Sequence, residues 1–342
     1  MLNDLDGYLS RCRDSVFLHI RAYLEKRTAQ LPRSMKTCVV DYPYRRGKAL
    51  RPALIMLFND AYGGASAAAC RVAAAYQLLE DWGLGRDDIL DNALLRRGKP
   101  ALHRLYGLPR AVNALDMLHD CVCDMLYSYC RLSPRRYKGV QAIFSEATSV
   151  TLGGQHLDIG ARDLPLERFT DRAYLRIAER KTAFYTVAAP CLLGAEMAGA
   201  GMDPGAIREF GRALGTAFQI IDDVLDAEND GSGRFGKAPG NDILEGKRTL
   251  LAAAAFRRMP RAKKRRLAAF YALPPEKRSP AGAAGVRREI LASGAPAECR
   301  AKAGKLTAAA LRIFEARIYP SMRGPCRDMI RGLILKLADR RF

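Results

Sequence analysis

Asp87-Asp88-Ile89-Leu90-Asp91 and Asp222-Asp223-Val224-Leu225-Asp226 are two aspartate clusters with identical spacing. Each lies in an apolar stretch that reads as helix. On a helix, positions i and i+4 share a face, and i+1 lies about 100° around from i. Asp87 and Asp91 therefore point the same way with Asp88 beside them, and Asp222, Asp226 and Asp223 repeat the pattern. Carboxylates crowded into apolar helices repel each other and cost free energy to bury. Divalent cations offset that cost most readily. Hard oxygen ligands with no Cys or His among them favour Mg²⁺, which keeps several waters and bridges to substrate phosphates. The two stretches together predict a metal-diphosphate site between two helices.

Outward from the clusters, helical periodicity runs nearly throughout. Helices are predicted at about 3–30, from Leu50 with Pro52 in its first turn, and at 66–92, 110–131, 135–158, 170–198 and 204–227, with more after a Gly-rich loop at 229–241. Leu31–Tyr44, with two prolines, reads as a loop, and Gly98-Lys99-Pro100 as a breaker. Pro274–Ala284 is the loosest stretch and reads as a surface loop. No linker divides the chain, so one all-α domain over 1–342 is expected, a single large helical bundle that brings both clusters to one central cavity.

The bulk numbers exclude several classes. No apolar run reaches a membrane span, and Met1–Arg13 lacks an apolar signal core, so a cytoplasmic location is expected. Nine cysteines without zinc spacing read as reduced, mostly buried thiols, and Cys121-x-Cys123 has no second half for a metal site. The four histidines have no ligand spacing. The net charge of +20 suits polyanions, but the densest basic run, Arg257–Arg266, has no interleaved aromatics to stack bases. It reads as a solvated surface, and no nucleic-acid partner is expected.

A diphosphate site also needs fixed cations. Lys48 and Arg51 stand at a helix start, where backbone N–H groups favour anions. Arg96 and Arg97 follow the first cluster, Lys181-Thr182 interrupts an apolar helix, Lys237 lies in the loop after the second cluster, and Lys247 follows that loop. This ordered set resembles the trans-isoprenyl diphosphate synthases, the family of farnesyl and geranylgeranyl diphosphate synthases. The matching stretches are Gly47-Lys48-x-x-Arg51-Pro52, the first cluster through Asn92-x-x-Leu95-Arg96-Arg97-Gly98-Lys99-Pro100, Gly154-Gln155-x-x-Asp158 and Lys181-Thr182. Phe218-Gln219 with the second cluster, Phe235-Gly236-Lys237 and Asp242-x-x-Glu245-Gly246-Lys247-Arg248-Thr249 complete the series, and the likeness spans about residues 40–342.

The resemblance implies an isoprenoid synthase fold, usually homodimeric. It implies head-to-tail joining of an allylic prenyl diphosphate to isopentenyl diphosphate. Three Mg²⁺ ions would bind the allylic diphosphate, two on Asp87 and Asp91 and the third on Asp222. Asp88, Asp223 and Asp226 would be adjacent or water-mediated partners. Arg96, Lys181, Lys237 and Lys247 would add fixed positive charge. Isopentenyl diphosphate would sit on Lys48, Arg51 and Arg97, while Thr182 and Gln219 line the cation's path.

One residue departs from the pattern. Where the family usually has His or Gln, seven residues before Asp87, this chain has Glu80. Two like charges about 4 Å apart repel by roughly 4 kcal/mol at an effective dielectric near 20. Glu80 therefore pairs with Lys48, Arg51 or Arg97, or is protonated, or the second substrate differs or is absent. In the last case the chain is a class I terpene synthase that ionises a prenyl diphosphate without isopentenyl diphosphate. A catalytically silent partner subunit is disfavoured by the two intact clusters. Trp82, the only tryptophan, is by resemblance a candidate floor for the growing chain, the alternative being a core or dimer-interface residue. With Gly83 leaving that side open, the expected short-chain product lies between farnesyl and geranylgeranyl length, with geranylgeranyl favoured.

Overall fold

The computed structural model describes residues 2–132, 134–229 and 240–338. Helices α1 (Leu2–Arg27), α2 (Arg33–Tyr44), α3 (Leu50–Ala61) and α4 (Ser66–Leu90) lead to a small hairpin, β1 (Leu95–Arg96) and β2 (Lys99–Pro100). Helices α5 (Leu102–Tyr106), α6 (Leu108–Leu132), α7 (Pro134–Ala161) and α8 (Asp171–Ala178) follow. A π-helical segment, Glu179–Ala188, joins α8 to α9 (Ala189–Ala198). Then come α10 (Pro204–Glu228), α11 (Asn241–Glu245), α12 (Leu250–Arg258), α13 (Arg261–Ala272), α14 (Pro280–Ala292), α15 (Ala295–Ile313) and α16 (Cys326–Ala338). Among the described residues the structure is all-α apart from the hairpin, and no described helix is long and apolar enough to cross a membrane.

Two compact units are present. The first comprises the described residues of Met1–Ser145, Ala189–Pro204 and Arg317–Leu333. Its centre is α3 and α4, whose Phe58 and Tyr76 are fully buried. Close approach of α9 to α3 requires Gly194, since a Cβ there would stand 2.3 Å from the Ile55 carbonyl oxygen. Gly85 does the same for α4 against α6: its Cβ would meet Leu115 at 2.4 Å. Of the two glycines before the first cluster, then, Gly85 serves a neighbouring helix, while a Cβ on Gly83 meets nothing within 4 Å.

The expected loop at Leu31–Tyr44 is a helix over most of its length. Pro32 precedes its first residue, and Pro43 falls in its last turn. Proline is tolerated at a helix start, and one turn from the end it forfeits a single intrahelical bond. Cys38, Val39 and Tyr42 are buried by this helix, and that burial outweighs the proline signal. The structure also differs from the single helix expected at 170–198, since residues 179–188 are π-helical, and Pro280 opens α14 inside the expected loop at 274–284.

The second unit comprises the described residues of Glu146–Ala188, Gly205–Ala316 and Ile334–Phe342. Its core packs Ile220, Val224, Leu251, Ala254 and Ile290, all nearly inaccessible to solvent. The π-helical segment runs against bare backbone on two sides. A Cβ on Gly154 of α7 would stand 2.2 Å from the Lys181 amide nitrogen, and one on Gly215 of α10 would stand 2.4 Å from the Ala183 Cα.

Candidate active site

The first cluster ends α4, and the way α4 ends explains the residues after it. Asn92 takes a left-handed conformation (φ 52°), the Ala93 N–H donates to the Asp88 carbonyl at 2.9 Å, and the Asn92 N–H donates to Ile89 at 3.2 Å. These two bonds form a Schellman cap, in which Asn is a usual substitute for Gly. The chain then turns through the β1–β2 hairpin. Its two central residues, Arg97 and Gly98, both have positive φ (52° and 73°), as primed hairpin turns require. A left-handed arginine costs roughly 1–2 kcal/mol. The contacts of its guanidinium offset that cost.

Within the cluster the three carboxylates are not equivalent. Asp88 is buried: Tyr42 Oη donates to Oδ2 at 2.6 Å, and Arg96 Nε donates to both carboxylate oxygens at 3.0 Å, with its Nη2 also on Oδ1. Tyr42 Oη in turn accepts the Leu102 N–H at 3.0 Å. Burial alone would lower the Arg96 pKa, but Asp88 reverses the effect and raises it. Arg96, expected as a fixed cation for substrate, is thus committed to Asp88. Asp87 and Asp91 remain partly exposed on the i, i+4 face.

Residues expected to bind isopentenyl diphosphate also meet acids. Arg51 Nη1 lies 2.8 Å from Glu80 Oε1, which settles the partner of the departing residue. Arg97 Nη2 donates to Asp81 Oδ1 at 2.8 Å and Nη1 to the Tyr42 carbonyl at 2.9 Å. Gly47 is bare because Arg97 lies against it, with 2.9 Å from a Cβ to Nη2. Lys48 is exposed. Asp81, which lies outside the matched motifs, is fully buried, and Gln77 Nε2 reaches it at 3.4 Å.

Burial pushes the Asp81 carboxyl from 3.8 up to about 6, against the pull of Arg97 and with a further push from Glu80. Between pH ~4 and pH ~6 the folded chain therefore holds this proton more tightly than the unfolded chain does. Stability from this group is fully present below that window, falls as pH rises through it, and is level above. Two units correspond to roughly 3 kcal/mol. Denaturant unfolding of the wild type should lose this much more stability from pH 4 to pH 6 than Asp81→Asn does. Parallel pH profiles would exclude the assignment.

The second cluster repeats the inequality. Asp223 is buried, and Tyr174 Oη donates to its Oδ2 at 2.7 Å while Gln219 Nε2 donates to Oδ1 at 2.6 Å. Thr182 Oγ1 donates to Gln219 Oε1 at 2.6 Å, completing a chain from the π-helical segment to the cluster. Burial, then Asp242 and Asp222, raise the Asp223 carboxyl, with its two hydrogen bonds opposing. Asp222 is exposed and Asp226 partly so, and the Asp242 N–H donates to Asp226 Oδ2 at 3.1 Å. Lys181, next to Thr182, points to a different helix: its Nζ donates to Asp158 of α7 at 2.7 Å. Burial raises the Asp158 carboxyl, but Lys181, Lys247 and Arg162 outweigh it and hold the pKa below normal.

Lys247 lies between Asp242 Oδ1 (3.1 Å) and Glu245 Oε2 (2.7 Å). Glycines with positive φ bracket α11, Gly240 at 66° and Gly246 at 73°. Arg248 is buried and donates to the carbonyl oxygens of Gly246, Arg162 and Leu164, which fastens the end of this loop. Lys237 lies outside the described residues. Trp82 packs on His119 with ring centroids 4.8 Å apart, and the Arg86 guanidinium lies 5.3 Å from its centroid.

No three acidic, His or Cys side chains among the described residues form a metal cage by themselves. Magnesium does not need one, since one or two carboxylates suffice when waters and substrate phosphates supply the rest. The partly exposed Asp87–Asp91 pair and the exposed Asp222 fit that requirement, and the buried, bonded Asp88 and Asp223 do not.

Residues 33–284 match the family described as polyprenyl synthetase. The chain belongs to that family. Its members are transferases, and the all-α architecture is that of the isoprenoid synthase fold. The chain is 35% identical over 234 residues to a short chain isoprenyl diphosphate synthase of Methanothermobacter thermautotrophicus, covering 68% of this chain and 70% of that one. It is 36% identical over 208 residues to a geranylgeranyl diphosphate synthase of Sulfolobus acidocaldarius, covering 60% and 62%. A solved geranylgeranyl pyrophosphate synthase superposes with a TM-score of 0.84 at 25% identity, covering 98% of this chain and 99% of that one. The polyprenyl synthetase match begins at α2, so the helix that carries Tyr42 is within it.

Proposed function

We propose that this chain is a magnesium-dependent head-to-tail prenyltransferase that extends an allylic diphosphate with isopentenyl diphosphate to a geranylgeranyl-length product. The supporting observation is the sorting of each aspartate cluster. Its middle carboxylate is buried and held by a tyrosine (Tyr42 on Asp88, Tyr174 on Asp223), while the outer two are left at or near the surface. Such a helix end is braced by one acid and presents the others.

In this reading Asp87 and Asp91 would hold two magnesium ions and Asp222 the third, with Asp226 as a water-mediated partner. When bound, magnesium would supply positive charge to the departing diphosphate and orient it. Lys181 and Lys247 sit on Asp158 and on Asp242 and Glu245, and supply fixed positive charge to the same group. Lys237 is assigned the same role. The allylic C–O bond breaks with both electrons leaving on the diphosphate. The double bond of isopentenyl diphosphate, held by Lys48, Arg51 and Arg97, forms the new C–C bond, and the released diphosphate takes the proton lost from the adjacent carbon. Thr182 fixes Gln219 so that its amide dipole faces the cation. Apolar walls keep water from quenching it. Trp82, braced by His119, closes the pocket at geranylgeranyl length. The same reading takes the protein as a cytoplasmic homodimer.

The Arg51–Glu80 ion pair favours a second reading, a class I terpene synthase that needs no isopentenyl diphosphate. One assay separates them. The purified protein is incubated with farnesyl diphosphate alone, then with isopentenyl diphosphate added. Elongation to geranylgeranyl diphosphate only in the second mixture is expected. A volatile hydrocarbon or alcohol from the first, with no elongation in the second, would reverse the order. Trp82→Ala should shift the product to longer chains, and an unchanged product would remove Trp82 from the floor.

A further inference from the structure

Consecutive residues of α4, Glu80 and Asp81, each hold an arginine from another element, and the two pairs differ in depth. Asp81 is wholly inaccessible and keeps Arg97 against the Tyr42 carbonyl, so it is part of the frame. Glu80 is 13% exposed and Arg51 is 20% exposed at the first turn of α3. That pair is shielded enough for its charges to matter, yet it has an open edge. The second oxygens of both acids, Glu80 Oε2 and Asp81 Oδ2, and the Gln77 side-chain Oε1 are buried without a hydrogen-bond partner. The carboxylates are therefore incompletely satisfied where they lie. Two guanidinium charges meet two carboxylate charges, and Lys48 adds an exposed cation nearby in sequence. A ligand with up to three negative charges would enter a pocket whose arginine charge is already balanced.

We infer that Glu80 is a specificity-determining residue, a resident counter-anion on Arg51 that the diphosphate of the second substrate must displace. This rests on the prenyltransferase reading, in which Arg51 and Arg97 bind isopentenyl diphosphate. The displacement involves no covalent step: the carboxylate swings off Arg51 and phosphate oxygens take its place. Asp81 stays, because moving it would uncover Arg97 and the buried interior behind it. The consequence is a pocket tuned toward less highly charged phosphates, in which the second phosphate of isopentenyl diphosphate gains little.

The test measures binding of isopentenyl diphosphate and isopentenyl monophosphate by calorimetry, in buffer containing EDTA, to the wild type and to Glu80→Gln. It also measures steady-state KM for isopentenyl diphosphate and for the allylic primer. In Glu80→Gln, Kd and KM for isopentenyl diphosphate should fall about tenfold, the gain from removing one nearby like charge under solvent screening, with the primer KM within about twofold of wild type. The wild type alone should bind the diphosphate no more than about tenfold better than the monophosphate, a reading that stands even if the variant misfolds. A wild-type preference above about a thousandfold, or equal diphosphate affinity in wild type and Glu80→Gln, would overturn the inference. Tighter binding in the variant with no elongation of any primer keeps the Glu80 assignment and overturns the prenyltransferase reading. Elongation with an isopentenyl diphosphate KM that Glu80→Gln leaves unchanged does the reverse. Absence of isopentenyl diphosphate binding to both proteins overturns both.

Discussion

Asp87→Asn is expected to lower kcat/KM by about a thousandfold or more, equivalent to at least roughly 4 kcal/mol of transition-state stabilisation. The substitution keeps size and one carbonyl oxygen and removes the charge, which is what a hard divalent cation requires of this position. Asp87 is partly exposed, and the α4 cap runs through backbone groups, so thermal stability should change little. Asp222→Asn is expected to behave alike, on an exposed side chain. The expected response to magnesium gives the assignment its specificity. Raising magnesium should recover part of the lost rate in either variant, because a weakened ligand set fills at higher concentration. Circular dichroism and a magnesium titration of initial rate check both halves. Near-normal activity, or a loss accompanied by unfolding, would remove these residues from the metal role.

How much of this was legible in sequence follows from which interactions are local. The i, i+4 spacing of Asp87 and Asp91 is a local property, and so is the helix beneath it. The ordered motifs made the family readable as well. What spacing alone does not report is which charge meets which. Arg96 and Arg97 read as cations waiting for phosphate, yet Asp88 and Asp81 engage them in the folded chain. Tyr42 and Tyr174 stand 46 and 49 residues from the aspartates they hold, and no motif flags them. Tyr42 was hidden further because two prolines made its helix look like a loop. Asp81 stands outside every matched motif, and its partner Arg97 is 16 residues away in sequence. The π-helical segment has the apolar content of an ordinary helix. Its register is set by contact with the bare backbone at Gly154 and Gly215, a tertiary fact.

Asp88→Ala should destabilise the fold by about 3–5 kcal/mol, and the reason is asymmetric. Asp88 is 1% exposed, and the side chain of its partner Arg96 is 13% exposed. Arginine does not surrender its proton in a protein, so removing Asp88 leaves a buried charge with no way to become neutral. The reverse change is milder. In Arg96→Ala the carboxylate keeps a partner, since Tyr42 Oη still donates to it at 2.6 Å. Asp88→Ala/Arg96→Ala removes both charges and should be more stable than Asp88→Ala alone. The cycle should therefore return a favourable coupling of about 2 kcal/mol or more, well above the ~0.5 kcal/mol scatter of independent sites. Urea unfolding of the four proteins at pH 7 measures it. Additive losses would mean that Arg96 finds water once Asp88 is gone. The activity of the double variant then separates bracing from chemistry. If Asp88 serves only to hold the end of α4, the double variant should keep more activity than Asp87→Asn. If its rate is as low, Asp88 acts on the substrate side as well, and the division between buried and presented aspartates fails for the first cluster.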